Sequence, residues 1–145
     1  MSGVRRSSSA TVWEQAVGYS RAVAAGDYVF VSGCTSVDGA QFVHPGDAYA
    51  QTVQAIENIR TGLEPLGAGL SDVVRTRLYV TDITLWEEYG RGHAEAFGAT
   101  RPAATMIQVS ALVDARMLVE VEAVAYKPGI GGPAGDTAGD AVAAR

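Results

Sequence analysis

Cysteine occurs once in these 145 residues, lysine once and histidine twice. No apolar run approaches the ~20 residues of a membrane-crossing helix. A single cysteine, Cys34, excludes an internal disulfide, so stability must come from an apolar core. Cys34, His44 and His93 lie far apart and match no metal-ligand spacing, so no metal site and no cofactor are expected. Two catalytic frameworks are missing as well. There is no Gly-x-Ser-x-Gly nucleophile turn, and Gly67-Ala68-Gly69 lacks the Gly and Lys that complete a phosphate loop. The opening MSGVRRSSSA has two arginines but no apolar segment behind them, so no secretory signal is expected. With one unpaired thiol, the cytoplasm is the expected compartment, without a membrane partner.

What is present suits one soluble globular domain: 48% hydrophobic and 19% charged residues. The charge is unevenly spread. Residues 1–126 hold nine arginines and fourteen acidic residues, so the whole net charge of −5 falls on that stretch. Phosphate backbones attract basic surfaces, and here the mean field is repulsive. No nucleic-acid partner is expected, and a small molecule is the preferred ligand class.

Composition divides the chain into three parts. Residues 1–11 are Ser- and Arg-rich without periodicity and read as a flexible arm. Residues 12–126 carry the periodic patterns. Residues 127–145 are dominated by Gly, Ala, Pro and Asp and read as a disordered tail. In the central part, Gly18–Ala24 and Tyr28–Ser32 read as strands joined through Ala25-Gly26-Asp27. Asp47 caps a predicted helix to about Leu66, with Tyr49, Val53, Ile56, Ile59, Leu63 and Leu66 as its apolar stripe. Val73–Thr81 alternates as a strand, placing Val74, Thr76, Leu78 and Val80 on one face and Arg75, Arg77 and Tyr79 on the other. Asp82 or Thr84 caps a second helix bearing Leu85, Trp86, Tyr89, His93 and Phe97. Gly90 and Gly92 each weaken it by roughly 1 kcal/mol relative to Ala, which implies close packing there. Ala104–Val109 and Leu118–Tyr126 read as the last strands.

The order β-β-α-β-α-β-β gives an α+β layer with both helices on one sheet face. The other face would carry Tyr19, Arg77, Glu120 and Glu122, too polar for a core yet flanked by apolar residues. A symmetric oligomer would cover it and leave polar pockets between subunits.

An ordered set of short motifs sharpens this. Gly18-Tyr19-Ser20-Arg21-Ala22, Val31-Ser32-Gly33, Asn58-Ile59, Asp72-Val73-Val74, Val80-Thr81-Asp82, Arg101-Pro102-Ala103 and Val119-Glu120-Val121-Glu122-Ala123 follow one another with matching spacings. Together they resemble the Rid family (YjgF/YER057c/UK114) over nearly all of 12–126. The resemblance implies a chorismate-mutase-like fold, a homotrimer with clefts between subunits, and hydrolysis of reactive imines or enamines without metal or cofactor.

It also implies a site. Glu120 would position the attacking water as the catalytic residue, Tyr19, Ser32, Gly33 and Cys34 would line the cleft, and Ala104 and Thr105 would face the substrate. In the deaminating subgroup a Pro-Ala-Arg motif clamps the substrate carboxylate, a task suited to the fork of a guanidinium. Here the arginine position is Ala104. Arg101, Arg21 and Arg77 are the candidates to replace it, and each reads more simply as structural or surface. Glu120 and Glu122 project from one strand face, so burial would raise a carboxylate toward a useful basic range. A salt bridge between subunits is the plainer alternative. Cys34 reads as a pocket-lining thiol without an activating partner. Trp13, Trp86 and Phe97 read as core or interface aromatics. Three functions remain open: an imine or enamine hydrolase, a non-catalytic ligand-binding or chaperone-like paralogue, and, least favoured, an endoribonuclease.

Overall fold

The computed structural model describes residues 3–132. Eight strands and three helices follow in the order β1 (Val4–Ser7), α1 (Val12–Val17), β2 (Ala22–Ala25), β3 (Tyr28–Cys34), β4 (Val37–Asp38), β5 (Gln41–Phe42), α2 (Ala48–Leu63), β6 (Val73–Val80), α3 (Trp86–Phe97), β7 (Ala103–Gln108) and β8 (Val119–Tyr126). Six strands form one sheet ordered β1-β2-β3-β8-β6-β7, with β4 and β5 a separate small hairpin. All main-sheet pairs are antiparallel except β6 with β7, which α3 connects as a parallel crossover. The α+β, chorismate-mutase-like architecture is thus present. Among the described residues no helix is long and apolar enough to cross a membrane.

Helix α2 begins where Asp47 accepts the Ala50 N–H at 2.9 Å. Its Ile56, Ile59 and Leu63 are buried with Val31, Leu78 and Val121 of the sheet. Full burial of each such side chain contributes about 1.5–3 kcal/mol. The buried stripe is rotated from the one the sequence suggests: Val53 is exposed, while Gln51 and Thr52 are buried. The Gln51 amide repays its burial by donating to the His44 and Arg116 carbonyls and accepting the Leu118 N–H. Helix α3 crosses α2 at Gly92, where a β-carbon would press on Thr52. Trp86, expected on the packed side of α3, is exposed.

Three segments depart from expectation for local reasons. A register shift between Val73 and Arg75 buries Val73 and turns Val74 outward, so Val74 does not share a face with Thr76. The segment read as a flexible arm carries β1, held by Ser7 Oγ donating to the Gly62 carbonyl and by Arg5 donating to the Leu66 and Ile130 carbonyls. It also supplies Thr11, the N-cap of α1, and the strand expected from Gly18 starts only at Ala22. Tail residues 127–132 turn back onto the β2–β3 hairpin, where Gly131 N–H meets the Gly26 carbonyl at 2.8 Å and Ile130 is buried. Only glycine fits at 131, because a β-carbon there would strike the Gly26 backbone. The disorder expected for the rest of the tail concerns 133–145, outside the described residues.

Candidate functional site

A cleft of about 740 Å³ opens between α1, the end of β3, the C-terminal half of α2 and β8. Tyr19, Arg21, Ser32, Gly33, Cys34 and Glu120 line its polar side, and Trp13, Val17 and Val113 stand among its apolar lining. The cleft exists because β3 is irregular. Its pairing with β8 shifts between Val31 and Cys34, which inserts a bulge at Ser32-Gly33. Glu120 lies over that bulge, and a β-carbon on Gly33 would collide with its carboxylate. The Ser32 hydroxyl donates to the Ser20 carbonyl at 2.7 Å. Asn58 of α2 fixes the strand exit by donating to the Thr35 and Val37 carbonyls at 2.9 and 2.7 Å.

The charged groups divide by environment. Burial pushes the Glu120 carboxyl above its ordinary value; Arg21 pulls it down and Glu122 adds to the rise. Glu122 accepts a 2.7 Å hydrogen bond from the Tyr79 hydroxyl and lies 3.5 Å from Arg77. The half-exposed Arg77 therefore partners a cleft-lining carboxylate. Burial pushes the Cys34 thiol up, more than the adjacent Arg21 pulls it down, so the thiol stays protonated at neutral pH. His93 is tied to Thr76 at 2.8 Å and stacks against Phe97 between α3 and the sheet, remote from the cleft lining.

The chain brings five of the sequence-derived residues together: Tyr19, Ser32, Gly33, Cys34 and Glu120. It does not bring Ala104, Thr105 or Arg101 to them. Strand β7 is the far edge of the sheet, with β6 and β8 between it and β3. Ala104 pairs with Thr76 and Thr105 with Arg77, so their side chains leave opposite faces. Thr105 shares its face with Arg75, whose guanidinium donates to its hydroxyl at 2.8 Å. Within one chain both therefore stand apart from the cleft. Arg101 is exposed in a left-handed turn (φ 53°) before β7, so strand alternation does not reach it.

Of two contributors, the sequence undervalued one and missed the other. One is Arg21, which is 6% exposed within the cleft wall rather than on the surface. The other is Glu14, which caps α1 with Thr11 and is buried. Burial raises the Glu14 carboxyl, but hydrogen bonds from Ser9, Ser8 and Thr11 outweigh this and hold it below its usual value. The spacing Thr11-x-x-Glu14 is a capping-box signature and was legible.

Comparison with known proteins agrees with this architecture. The family model described as Endoribonuclease L-PSP matches residues 10–127. A Streptomyces coelicolor protein is 39% identical over 124 residues, 86% of this chain and 92% of the relative. A RutC family protein of Pyrococcus abyssi is 37% identical over 110 residues, 75% of this chain and 86% of its own length. Among solved structures, a member of the YjgF/YER057c/UK114 family from Mycobacterium tuberculosis superposes with a TM-score of 0.78 at 47% identity, over 86% of this chain and 99% of that one.

Proposed function

Because the chain belongs to the endoribonuclease L-PSP family, the YjgF/YER057c/UK114 or Rid proteins, we propose that it hydrolyses a small reactive imine or enamine. The observation that carries this reading is Glu120, a carboxylate seated over the Gly33 bulge and raised by burial toward the range of a working base. An imine carbon is already electrophilic, so the protein must orient it, place a water and move a proton. Glu120 takes a proton from that water as its oxygen bonds to the imine carbon. The proton passes to nitrogen and gives a carbinolamine. Its hydroxyl proton then moves through Glu120 to nitrogen as the C–N bond breaks and the C=O bond forms, and a carbonyl compound and ammonia or an amine leave. Tyr19 and the Ser32-Gly33 bulge orient the substrate, and the steps need no cofactor.

With Ala104 at the clamp position, the preferred substrate lacks an α-carboxylate. Charge-assisted hydrogen bonds contribute about 1.5–3 kcal/mol each, so losing a bidentate pair weakens a 2-imino acid a hundredfold or more. The protein works as a homotrimer in which β7 of one subunit meets the cleft of another, since one chain leaves the two apart. Sedimentation of a monomer at micromolar concentration would sink that arrangement. Freshly generated imines with and without a carboxylate, offered to wild type and Glu120→Ala, test the chemistry. Turnover no faster than in buffer ends the enzyme reading.

Ala104 favours a second reading, a binding paralogue that has kept the cleft and lost deamination. A ketone that raises the melting temperature without being consumed would support it. The family description motivates RNA cleavage, but the net charge of −5 opposes a polyanionic substrate.

A further inference from the structure

We propose that Arg21 is the positioning residue of the cleft, holding the Tyr19 hydroxyl and the Ser32–Cys34 bulge in one frame that turns the phenol's own proton toward the substrate. Its guanidinium is almost fully buried, and among the described residues no carboxylate lies within ion-pair distance of it. A buried charge without a direct counter-ion is costly, so its hydrogen bonds must compensate. They reach the cleft wall at Ser9, Tyr19, Gly33 and Cys34. Nη1 donates to the Gly33 carbonyl at 2.7 Å and to Cys34 Sγ at 3.3 Å. Nη2 donates to Tyr19 Oη at 3.2 Å, and Nε donates to Ser9 Oγ at 3.2 Å. The Ser9 hydroxyl donates onward to the Glu14 carboxylate, which ties the frame to α1.

Direction follows from donor chemistry. A guanidinium has no acceptor, so Tyr19 Oη can only receive from Arg21. The single Tyr19 proton therefore points away from Arg21, and the cleft is the larger of two open spaces that Tyr19 borders, the other lying toward Gln15 and Val23. The same guanidinium fixes the Gly33 peptide beneath Glu120. Room for its stem comes from α2, where a β-carbon on Gly62 would press on Arg21 Cγ. Lysine cannot reproduce the frame, because one ammonium cannot span acceptors arranged around a planar fork.

Only the kinetic arm of the test rests on the imine-hydrolase reading. Wild type, Arg21→Gln, Arg21→Lys, Tyr19→Phe and the Arg21→Gln/Tyr19→Phe double variant are compared as full-length protein. Thermal melting reports folding, and labelling of the lone Cys34 by an aromatic disulfide reagent reports opening of the bulge. Release of the frame accelerates labelling about tenfold in both Arg21 variants. Hydrolysis of a freshly generated imine loses about tenfold in kcat in Arg21→Gln, with KM little changed. In the Tyr19→Phe background the same substitution costs less than about twofold. Labelling of folded Arg21→Gln as slow as wild type overturns the proposal, as does an undiminished loss in the Tyr19→Phe background. Full rescue of labelling and kcat by Arg21→Lys overturns it too, since charge alone would then suffice. If Arg21→Gln does not fold, Arg21→Lys carries the comparison. If wild type turns over no imine, the proposed chemistry falls and the labelling decides the frame.

Discussion

The two faces of the main sheet are built from the same strands, yet they follow different rules. The face under α2 and α3 carries Val29, Val31, Leu78, Val80, Val119 and Val121, all buried. The open face carries Tyr28, Phe30 and Tyr126 as an exposed aromatic cluster at one end, with ring centroids of Tyr28 and Tyr126 5.3 Å apart. Toward the other end it carries Arg77, Tyr79, Glu120 and Glu122. The covered face is complete within one chain, and its side chains answer only to packing. The open face keeps charge where a core would not, and the cleft lies at that charged end. One face stores stability, and the other uses some of it.

Substitutions can pull the two faces apart. The largest effect belongs to Glu120→Gln, which should lower kcat for imine hydrolysis by about 10²–10⁴-fold, the contribution of a positioned base. The same change should leave the melting temperature at neutral pH unchanged or higher. The sign follows from linkage. Glu120 has a raised carboxyl in the folded state, so the folded protein binds more protons than the unfolded chain over that range. Stability from this group therefore falls as pH rises from the unfolded value through the folded one, and removing the charge removes the penalty. The acid limb of the pH–rate profile should sit above the ordinary carboxylate range in wild type and vanish in Glu120→Gln. A wild-type limb at the ordinary value would remove Glu120 from the base role.

On the covered face, Ile59→Ala should cost about 2–5 kcal/mol in urea unfolding, because Ile59 is wholly buried between α2 and the sheet. Residual folded protein should keep its substrate preference. A smaller effect is expected at Phe30, half-exposed on the open face. Phe30→Ser should shift assembly toward smaller species in sedimentation by about 1–2 kcal/mol per subunit. Unchanged assembly would show that this aromatic cluster faces solvent. Val53→Ser, on the outer side of α2, should change unfolding by no more than about 0.5 kcal/mol, which calorimetry can check. A larger loss there would mean that the outer side of α2 also packs against something.

Legibility in the sequence followed the same division. Alternating and three-to-four-residue patterns exposed α2, β6, α3 and β8, because burial on one side of an element imprints a period. Those patterns failed where the backbone breaks period, as at Val74, and where a polar side chain is buried with all its bonds satisfied, as at Gln51. Glu120, Tyr19 and the Ser32–Cys34 segment were found through ordered motifs rather than periodicity. Arg21 was undervalued because an arginine is a surface residue by default. Only the placement of Ser9, Tyr19, Gly33 and Cys34 around it shows why this one is buried.

By itself the sequence determined the fold class and the family, since both are written in residue types at fixed spacings. The tertiary structure decided how those residues group. It closed β1 and residues 127–132 onto a body that composition had placed elsewhere. It set Glu120 over a bulge, sent Ala104 and Thr105 out through opposite faces of a distant edge strand, and buried Arg21 at the centre of the cleft wall. Spacing along a chain encodes local period. Which side chain meets which carbonyl depends on register shifts and strand order, and these are fixed only when the sheet is assembled.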